Sequence, residues 1–376
     1  MDFGLSEEQE LLQRSARELL SAECPPALVR EMMASREGYS RSLYERIAAL
    51  GWTALIVPEK HGGAGLELLD LAVLSQEMGR ALLPGPFFSS VLATLALLNS
   101  PSVSARRHWL PRLAAGEAVG SLALLEESDR LDAEGVAIRS TRTRNGFRLD
   151  GSKMFVSDAH VADFLVVAAR GRSRGELGVN LLLVPLDTPG VSVLPLESID
   201  RTRRPCEVRF DSVEVEKSAM IAPEEQGWRV ISRVLDAAAV LLAADSLGGA
   251  EQSLEMAVEY SKVREQFGRK IGSFQSIKHI AAEMVSEIEP SRSLVWYAAY
   301  AYDHEPKRAG LAASMAKARL GDVYSRTTNR AVQIHGGIGF TWEHDMHLWF
   351  KRAKWNEAAF GDPTFHRERV ARLAGF

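Results

Sequence analysis

Two stretches of this chain carry residue types that suit a phosphorylated, aromatic ligand. The first runs from Tyr260 to Gln275, YSKVREQFGRKIGSFQ, and the second from Gln333 to Phe340, QIHGGIGF. The pyrophosphate of a dinucleotide needs a fixed cation and close backbone amides. Arg264 offers the cation, and its planar fork matches phosphate oxygens. Phe267 or Phe274 can pack on an adenine, and Gln266 and Gln275 can hydrogen-bond. Gly336 and Gly337 have no Cβ, so a ligand can approach their backbone closely. Each feature alone has a plainer reading. Arg264 could be an ordinary helix-end cation, and Gly336-Gly337-Ile338-Gly339 only a helix stop. Their joint order and spacing favour the dinucleotide.

The elements that must position these residues follow from composition and periodicity. The chain has 376 residues, 46% of them hydrophobic, enough for a large core in two or three domains. Residues 1–118 read as helical. Ser6 is a good N-cap for the acidic turn Glu7, Glu8, Gln9, and Leu11, Leu12, Ala16, Leu19 and Leu20 recur at helical spacing. Residues 119–225 carry short Val/Leu-rich runs: Phe147–Lys153 as a strand entering a turn, then Phe164–Ala169, Val179–Val184 and the alternating Val208–Val215. Such strands predict a β-sandwich or barrel. Residues 226–376 return to long helices over Val230–Val263, Ser273–Tyr302, Gly310–Ile334 and His344–Ala359, a four-helix bundle. The fold class is therefore α+β and multidomain.

That order, together with the two motifs, resembles the acyl-CoA dehydrogenase family over essentially the whole chain. The resemblance implies FAD as cofactor, with Arg264, Gln266, Phe267, Phe274, Gln275, Gln333, Gly336 and Gly337 among its contacts. In that family these segments bind the flavin of a neighbouring subunit, which implies an oligomer, commonly a homotetramer. A third segment, Gly151-Ser152-Lys153-Met154-Phe155-Val156-Ser157, is similar to the family's Gly-Thr-Lys-x-Trp-Ile-Thr strand. The resemblance sets Phe155 beside the flavin ring and Ser157 at its N5 edge. It also implies α,β-dehydrogenation of an acyl-CoA thioester, fatty or steroid-derived, with electrons passed to an electron-transfer flavoprotein.

The chain departs from the family pattern at three places. The loop Thr-Glu-Pro-x-Ala-Gly-Ser-Asp is matched by Leu124-Leu125-Glu126-Glu127-Ser128-Asp129, without its glycine-containing part. Backbone amides at Leu124 and Leu125 can still meet the flavin; a threonine hydroxyl cannot. Phe360 stands where the family's glutamate base stands, in Ala359-Phe360-Gly361-Asp362, and the alternative base position on the first bundle helix is Ala238. Removing an α-proton needs a carboxylate in a dry pocket, which phenylalanine and alanine lack. Asp362 and Thr364 replace the Thr and Gln that follow the glutamate. Three acids remain as candidate bases. Asp236 lies about 200° around the helix from Ala238 and matches a substrate-contacting position. Asp245 is on nearly the same face as Ala238, roughly 10 Å along the axis. Glu357 is one turn before Phe360. The losses also fit a base-lacking partner in an α2β2 heterotetramer of two related chains, or another flavin reaction on the same scaffold.

Several classes are disfavoured. A net charge of −4 gives no basic footprint for nucleic acid or an anionic membrane. The longest apolar run, near Val91–Leu98, is far short of the roughly 20 residues that span a bilayer. The N-terminal MDFGLSEEQE is acidic, without a signal pattern, and the two cysteines, Cys24 and Cys206, fit no metal or redox spacing. A cytoplasmic protein is expected. His335, His344, Asp345 and His347 cluster in sequence but read as surface or interface residues rather than a metal site. The loop His61–Gly65 lacks the Lys-Ser/Thr of a phosphate-binding loop.

Overall fold

The computed structural model describes residues 4–376, so the first three residues of the N-terminal stretch lie outside the described residues. Six helices come first: α1 (Glu7–Glu23), α2 (Pro26–Ala34), α3 (Arg41–Ala49), α4 (Leu68–Ala81), α5 (Phe87–Asn99) and α6 (Val103–Ala114). Eight strands follow: β1 (Gly120–Ala123), β2 (Arg139–Arg142), β3 (Gly146–Ser157), β4 (Phe164–Arg170), β5 (Val179–Pro185), β6 (Val191–Pro195), β7 (Pro205–Glu216) and β8 (Met220–Ala222). The chain closes with α7 (Gly227–Val263), the short strands β9 (Glu265–Gln266) and β10 (Arg269–Lys270), then α8 (Gln275–His304), α9 (Ala309–His335), α10 (Met346–Ala358) and α11 (Pro363–Ala374). The order of helices, β domain and helical bundle is the one expected from periodicity.

Two compact units group these elements. One takes residues up to Glu31, Glu67–Leu83 and Asp236–Phe376; the other takes Met32–Leu66 and Pro84–Leu235. In the first, α8, α10 and α11 each pack on α9, and α4 packs on α1 and α8. Ser6 caps α1 as expected, accepting from Gln9 N–H at 3.2 Å while the Gln9 side chain accepts from Ser6 N–H at 3.1 Å. Ala16 and Leu20 of its apolar stripe are buried, whereas Leu11 is exposed. The Gln76 amide of α4 donates to both oxygens of the buried Glu251 on α7. The bundle has the four long helices read from the sequence and a fifth, α11. Its start is encoded by Asp362 as N-cap, accepting from Phe365 N–H at 2.7 Å, with proline next.

In the second unit the eight strands form one hydrogen-bonded sheet in the order β6-β7-β3-β2-β4-β5-β8, with β1 parallel to β4. Its two halves join where β2 meets β4 at Arg139 and Arg170. Strands β4 and β5 are buried along nearly their whole length, which explains their unbroken Val/Leu runs. One boundary differs from expectation. Asp150-Gly151-Ser152 does not turn the chain; β3 continues to Ser157, paired with β7 across register shifts at Leu149/Gly151 and Lys153/Val156. Gly151, at φ +136°, absorbs the first bulge. Asp-Gly marks a turn or a bulge equally well, and the twelve-residue partner β7 decides between them.

Candidate functional site

The bundle supplies the first set of site residues. After α7 ends, Arg264 donates its N–H to Tyr260 O at 2.9 Å and accepts from Ile271 N–H at 2.9 Å, which closes a small hairpin. At its tip Phe267 and Gly268 take φ of 54° and 75°, the mirror-image turn that suits strand twist. A phenylalanine in that conformation is strained, and here it leaves the ring 92% exposed. Phe274 stands edge-on to it at 6.2 Å, with the Arg269 guanidinium 4.1 Å above the Phe274 ring. The Gln266 side chain donates to Glu265 O, and Gln275 opens α8 at the surface. Arg264 is exposed and has no ion-pair partner among the described residues. A free cation, an exposed ring and amide donors therefore share one hairpin.

The second motif lies beside the first. His335, the last residue of α9, stacks on Tyr260 of α7 with ring centroids 4.6 Å apart. Its Nδ1–H donates to Ala331 O at 2.7 Å, and burial pushes its pKa below the usual imidazole value. The neutral ring is thus mortar between the two helix ends that carry Arg264 and Gly336. Gly336 has φ 66° and ψ −146°, a region open essentially to glycine alone. Gly337 is not so constrained, and a Cβ there would meet nothing within 4 Å. Its missing side chain leaves room for something outside the chain, as does the exposed Gln333. His344 also touches His335, at 4.5 Å, but no group of three His, Cys, Asp or Glu among the described residues is placed to hold a metal.

The β domain supplies the third set. Leu124 and Leu125 leave β1 and run beside β3. The Leu124 carbonyl accepts from Lys153 Nζ at 2.9 Å, and the Leu125 carbonyl from Met154 N–H at 2.8 Å. The amides of Leu125 and Glu126 find no acceptor among the described residues. Phe155 sits on the second bulge of β3 at φ 55° with its side chain 51% exposed. The carbonyl of Ser157 is held by the Ser121 hydroxyl at 2.5 Å.

The three candidate bases are all engaged. Asp236 accepts from Arg369 Nη2 at 2.7 Å and is 6% exposed. Asp245 is buried against Arg352, with Nη1–Oδ2 at 3.1 Å, and accepts from Asn356 at 2.7 Å. Glu357 accepts from the Ser325 hydroxyl at 2.6 Å and Lys354 at 3.0 Å. Burial pulls the Glu357 pKa upward, but these donors outweigh it and hold the carboxyl below its usual range, the opposite of what a base in a dry pocket needs. Ala238 is fully buried.

Phe360 occupies a left-handed turn at φ 56° between α10 and α11. The turn is fastened from behind by residues the sequence reading passed over. Lys317 of α9 donates to Gly361 O at 2.8 Å and Glu357 O at 3.2 Å, and His366 Nε2–H donates to Phe360 O at 3.0 Å. Burial pushes Lys317 down to about 7 and His366 down to about 4. The signal for Lys317 was present: it lies on the stripe Ala313, Ala316, Leu320, which is buried. A lysine on a core stripe needs buried acceptors.

Comparison with known proteins adds three consecutive family matches: the acyl-CoA dehydrogenase N-terminal domain over residues 6–117, the middle domain over 121–213 and the C-terminal domain over 225–375. The chain is 34% identical to the acyl-CoA dehydrogenase IpdE2 of Mycobacterium tuberculosis, over 98% of this chain and 96% of that one. Among solved structures, butyryl-CoA dehydrogenase from Megasphaera elsdenii superposes with a TM-score of 0.92 at 28% identity, covering 100% of both chains. The ChsE4–ChsE5 complex from Mycobacterium tuberculosis gives a TM-score of 0.90 at 27% identity, again covering 100% of both chains.

Proposed function

The chain belongs to the acyl-CoA dehydrogenase family, a flavoprotein oxidoreductase acting on acyl-CoA, and from that premise we propose that it is the base-lacking chain of a mixed assembly. The observation that carries this reading is the engagement of Asp236, Asp245 and Glu357 in ion pairs and hydrogen bonds, with Phe360 on the turn where a carboxylate is expected. A relative solved as a complex of two named proteins supports it.

FAD fits the residues present. In the bundle the free Arg264 suits the pyrophosphate of a neighbouring subunit's flavin, Phe267 and Phe274 its adenine, and the open backbone at Gly336 and Gly337 a close approach; in the β domain the unsatisfied amides of Leu125 and Glu126 suit an acceptor-rich ring edge. When bound, it supplies the acceptor for the β-hydride of the thioester. In this reading the β domain's Phe155 would flank the ring of one flavin with Ser157 near its N5 edge, while Arg264 would anchor the pyrophosphate of a neighbouring subunit's flavin. Desaturation also needs a carboxylate that takes the α-proton as the carbon–carbon double bond forms. That carboxylate comes from a related chain that keeps the glutamate, and an electron-transfer flavoprotein collects the electrons.

The test is the visible spectrum of the chain alone and mixed with such a partner, before and after anaerobic addition of fatty and steroid-derived acyl-CoA thioesters. Bleaching only in the mixture is expected. A chain that is yellow alone and bleached by a thioester carries its own base, and the proposal is wrong. Asp236→Asn and Glu357→Gln are expected to leave turnover of the mixture in place; loss of turnover with flavin retained would identify a base in this chain.

A further inference from the structure

The buried ion pair behind Leu124 and Leu125 has no role in the reading above. Lys153 is 0% exposed, yet it sits in the middle of a strand. Its ammonium donates to Glu126 Oε1 at 2.7 Å and to the Leu124 carbonyl at 2.9 Å. Glu126 in turn accepts from the amides of Ala137 at 2.9 Å and Ile138 at 3.0 Å. Both charges therefore have hydrogen-bond partners, but a buried charge pair is not needed to stabilise a sheet. An apolar pair of similar volume commonly serves stability as well or better.

We infer that Lys153 and Glu126 form a positioning clamp that turns the Leu124–Glu126 backbone so that it presents adjacent amides to the flavin. The inference rests on the flavin reading proposed above. Its geometry follows from the planar trans peptide, in which C=O and N–H point in opposite directions. Lys153 takes the carbonyl of Leu124, so the N–H of Leu125 is directed the other way. Met154 N–H takes the carbonyl of Leu125, so the N–H of Glu126 is directed away as well. Those are the amides left without an acceptor among the described residues. The carboxylate of Glu126 fixes the ammonium and ties the same backbone to the entry of β2, so the loop keeps its direction where the family's glycine-containing stretch is missing.

The clamp carries a charge, which gives it a signature that simple packing lacks. Lys153 is faced by Glu126 from the loop and by Arg170 from β4. Burial pushes the lysine down to about 8, against the attraction of Glu126. Loss of its proton weakens its hold on Glu126 and Leu124.

The experiment measures FAD affinity from pH 6.5 to 9.5, with the protein in the assembly in which it carries FAD. Wild type is compared with Lys153→Met, Glu126→Gln and Arg264→Ala, and folding is checked by thermal melting. Wild type should lose affinity as pH rises through about 8. Lys153→Met and Glu126→Gln should bind FAD about tenfold more weakly at neutral pH, as expected for losing a charge-assisted hydrogen bond. Lys153→Met should also lack the pH step, and Arg264→Ala should bind weakly but keep it. Glu126→Gln retains an oxygen for the Ala137 and Ile138 amides, so it decides the matter if Lys153→Met does not fold. Folded variants that match wild-type affinity, or a Lys153→Met profile that keeps the step, overturn the clamp. A wild type that takes up no FAD in any assembly overturns the flavin reading itself, and the clamp with it.

Discussion

Phe267 and Phe360 make the same unusual demand on the backbone in opposite settings. Both hold a phenylalanine in the left-handed region, at φ 54° and 56°. The Phe267 turn is open: the ring is almost fully exposed, and a Cβ on the neighbouring Gly268 would meet nothing within 4 Å. The Phe360 turn is closed from behind. Lys317 and His366 grip its carbonyls, and a Cβ on Gly361 would strike the Phe365 ring at 2.5 Å. Strain of this kind costs on the order of 1–3 kcal/mol and persists where the surroundings over-determine it. At Phe267 little within the chain does so, which fits a partner outside it. At Phe360 the framework is complete, but the side chain cannot exchange a proton. On the function proposed above, the Phe360 turn keeps its framework without a group that could do the proton chemistry.

Refilling the Phe360 turn with a carboxylate should have the greatest consequence. If the Phe360 framework is intact, Phe360→Glu should make thioester-dependent flavin bleaching at least about 10²-fold faster than in the parent chain, the usual scale of a positioned general base. Unchanged stopped-flow traces in a folded, flavin-loaded variant would mean that the turn no longer addresses the substrate.

The next effect reads the closed turn through pH. His366 is pushed down to about 4 in the folded chain, well below the value near 6.5 of an unfolded histidine. As pH falls below 6.5 the unfolded chain takes up a proton that the folded chain refuses. The stability present above 6.5 is therefore lost progressively down to about 4, by up to about 3 kcal/mol. His347, also pushed down to about 4 mainly by burial, acts in the same direction. Melting temperatures between pH 7 and 4 should drop, and His366→Gln should flatten part of the drop.

The open region answers to ligand instead. Arg264→Ala should weaken FAD retention about tenfold or more while the melting temperature of the flavin-free protein stays put, since an exposed arginine without a partner adds little to stability. Full flavin occupancy in that variant would remove the pyrophosphate assignment.

The smallest effect separates the turns most directly. Glycine relieves the left-handed strain at either site, by about 1 kcal/mol. Phe267→Gly should therefore be neutral or stabilising without ligand, yet release FAD more readily. Phe360→Gly should leave FAD release unchanged in the same dialysis assay.

Much of this was legible in the chain before folding. The Ser6 cap, the Val/Leu runs of β4 and β5 and the long periodic helices fixed the order of elements, because caps and periodicity act over a few residues. Among the described residues no helix is long and apolar enough to cross a membrane. The expected turn at Asp150-Gly151-Ser152 failed because its alternative, a bulge, depends on the length of the partner strand. The Phe267-Gly268 hairpin and α11 were passed over, although Asp362-Pro363 spelled the start of the helix.

The family was readable from the sequence alone, as were the residue types standing at Arg264, Gly336 and Phe360, because motifs reside in residue types at short spacing. Tertiary structure decided what the remaining charges do. Asp245 meets Arg352 across 107 residues, Lys317 reaches Gly361 across 44, and Lys153 reaches Leu124 across 29. Whether an acid is a base or half of an ion pair depends on burial and on the partner opposite it. Both are set by packing between elements, which local spacing does not encode.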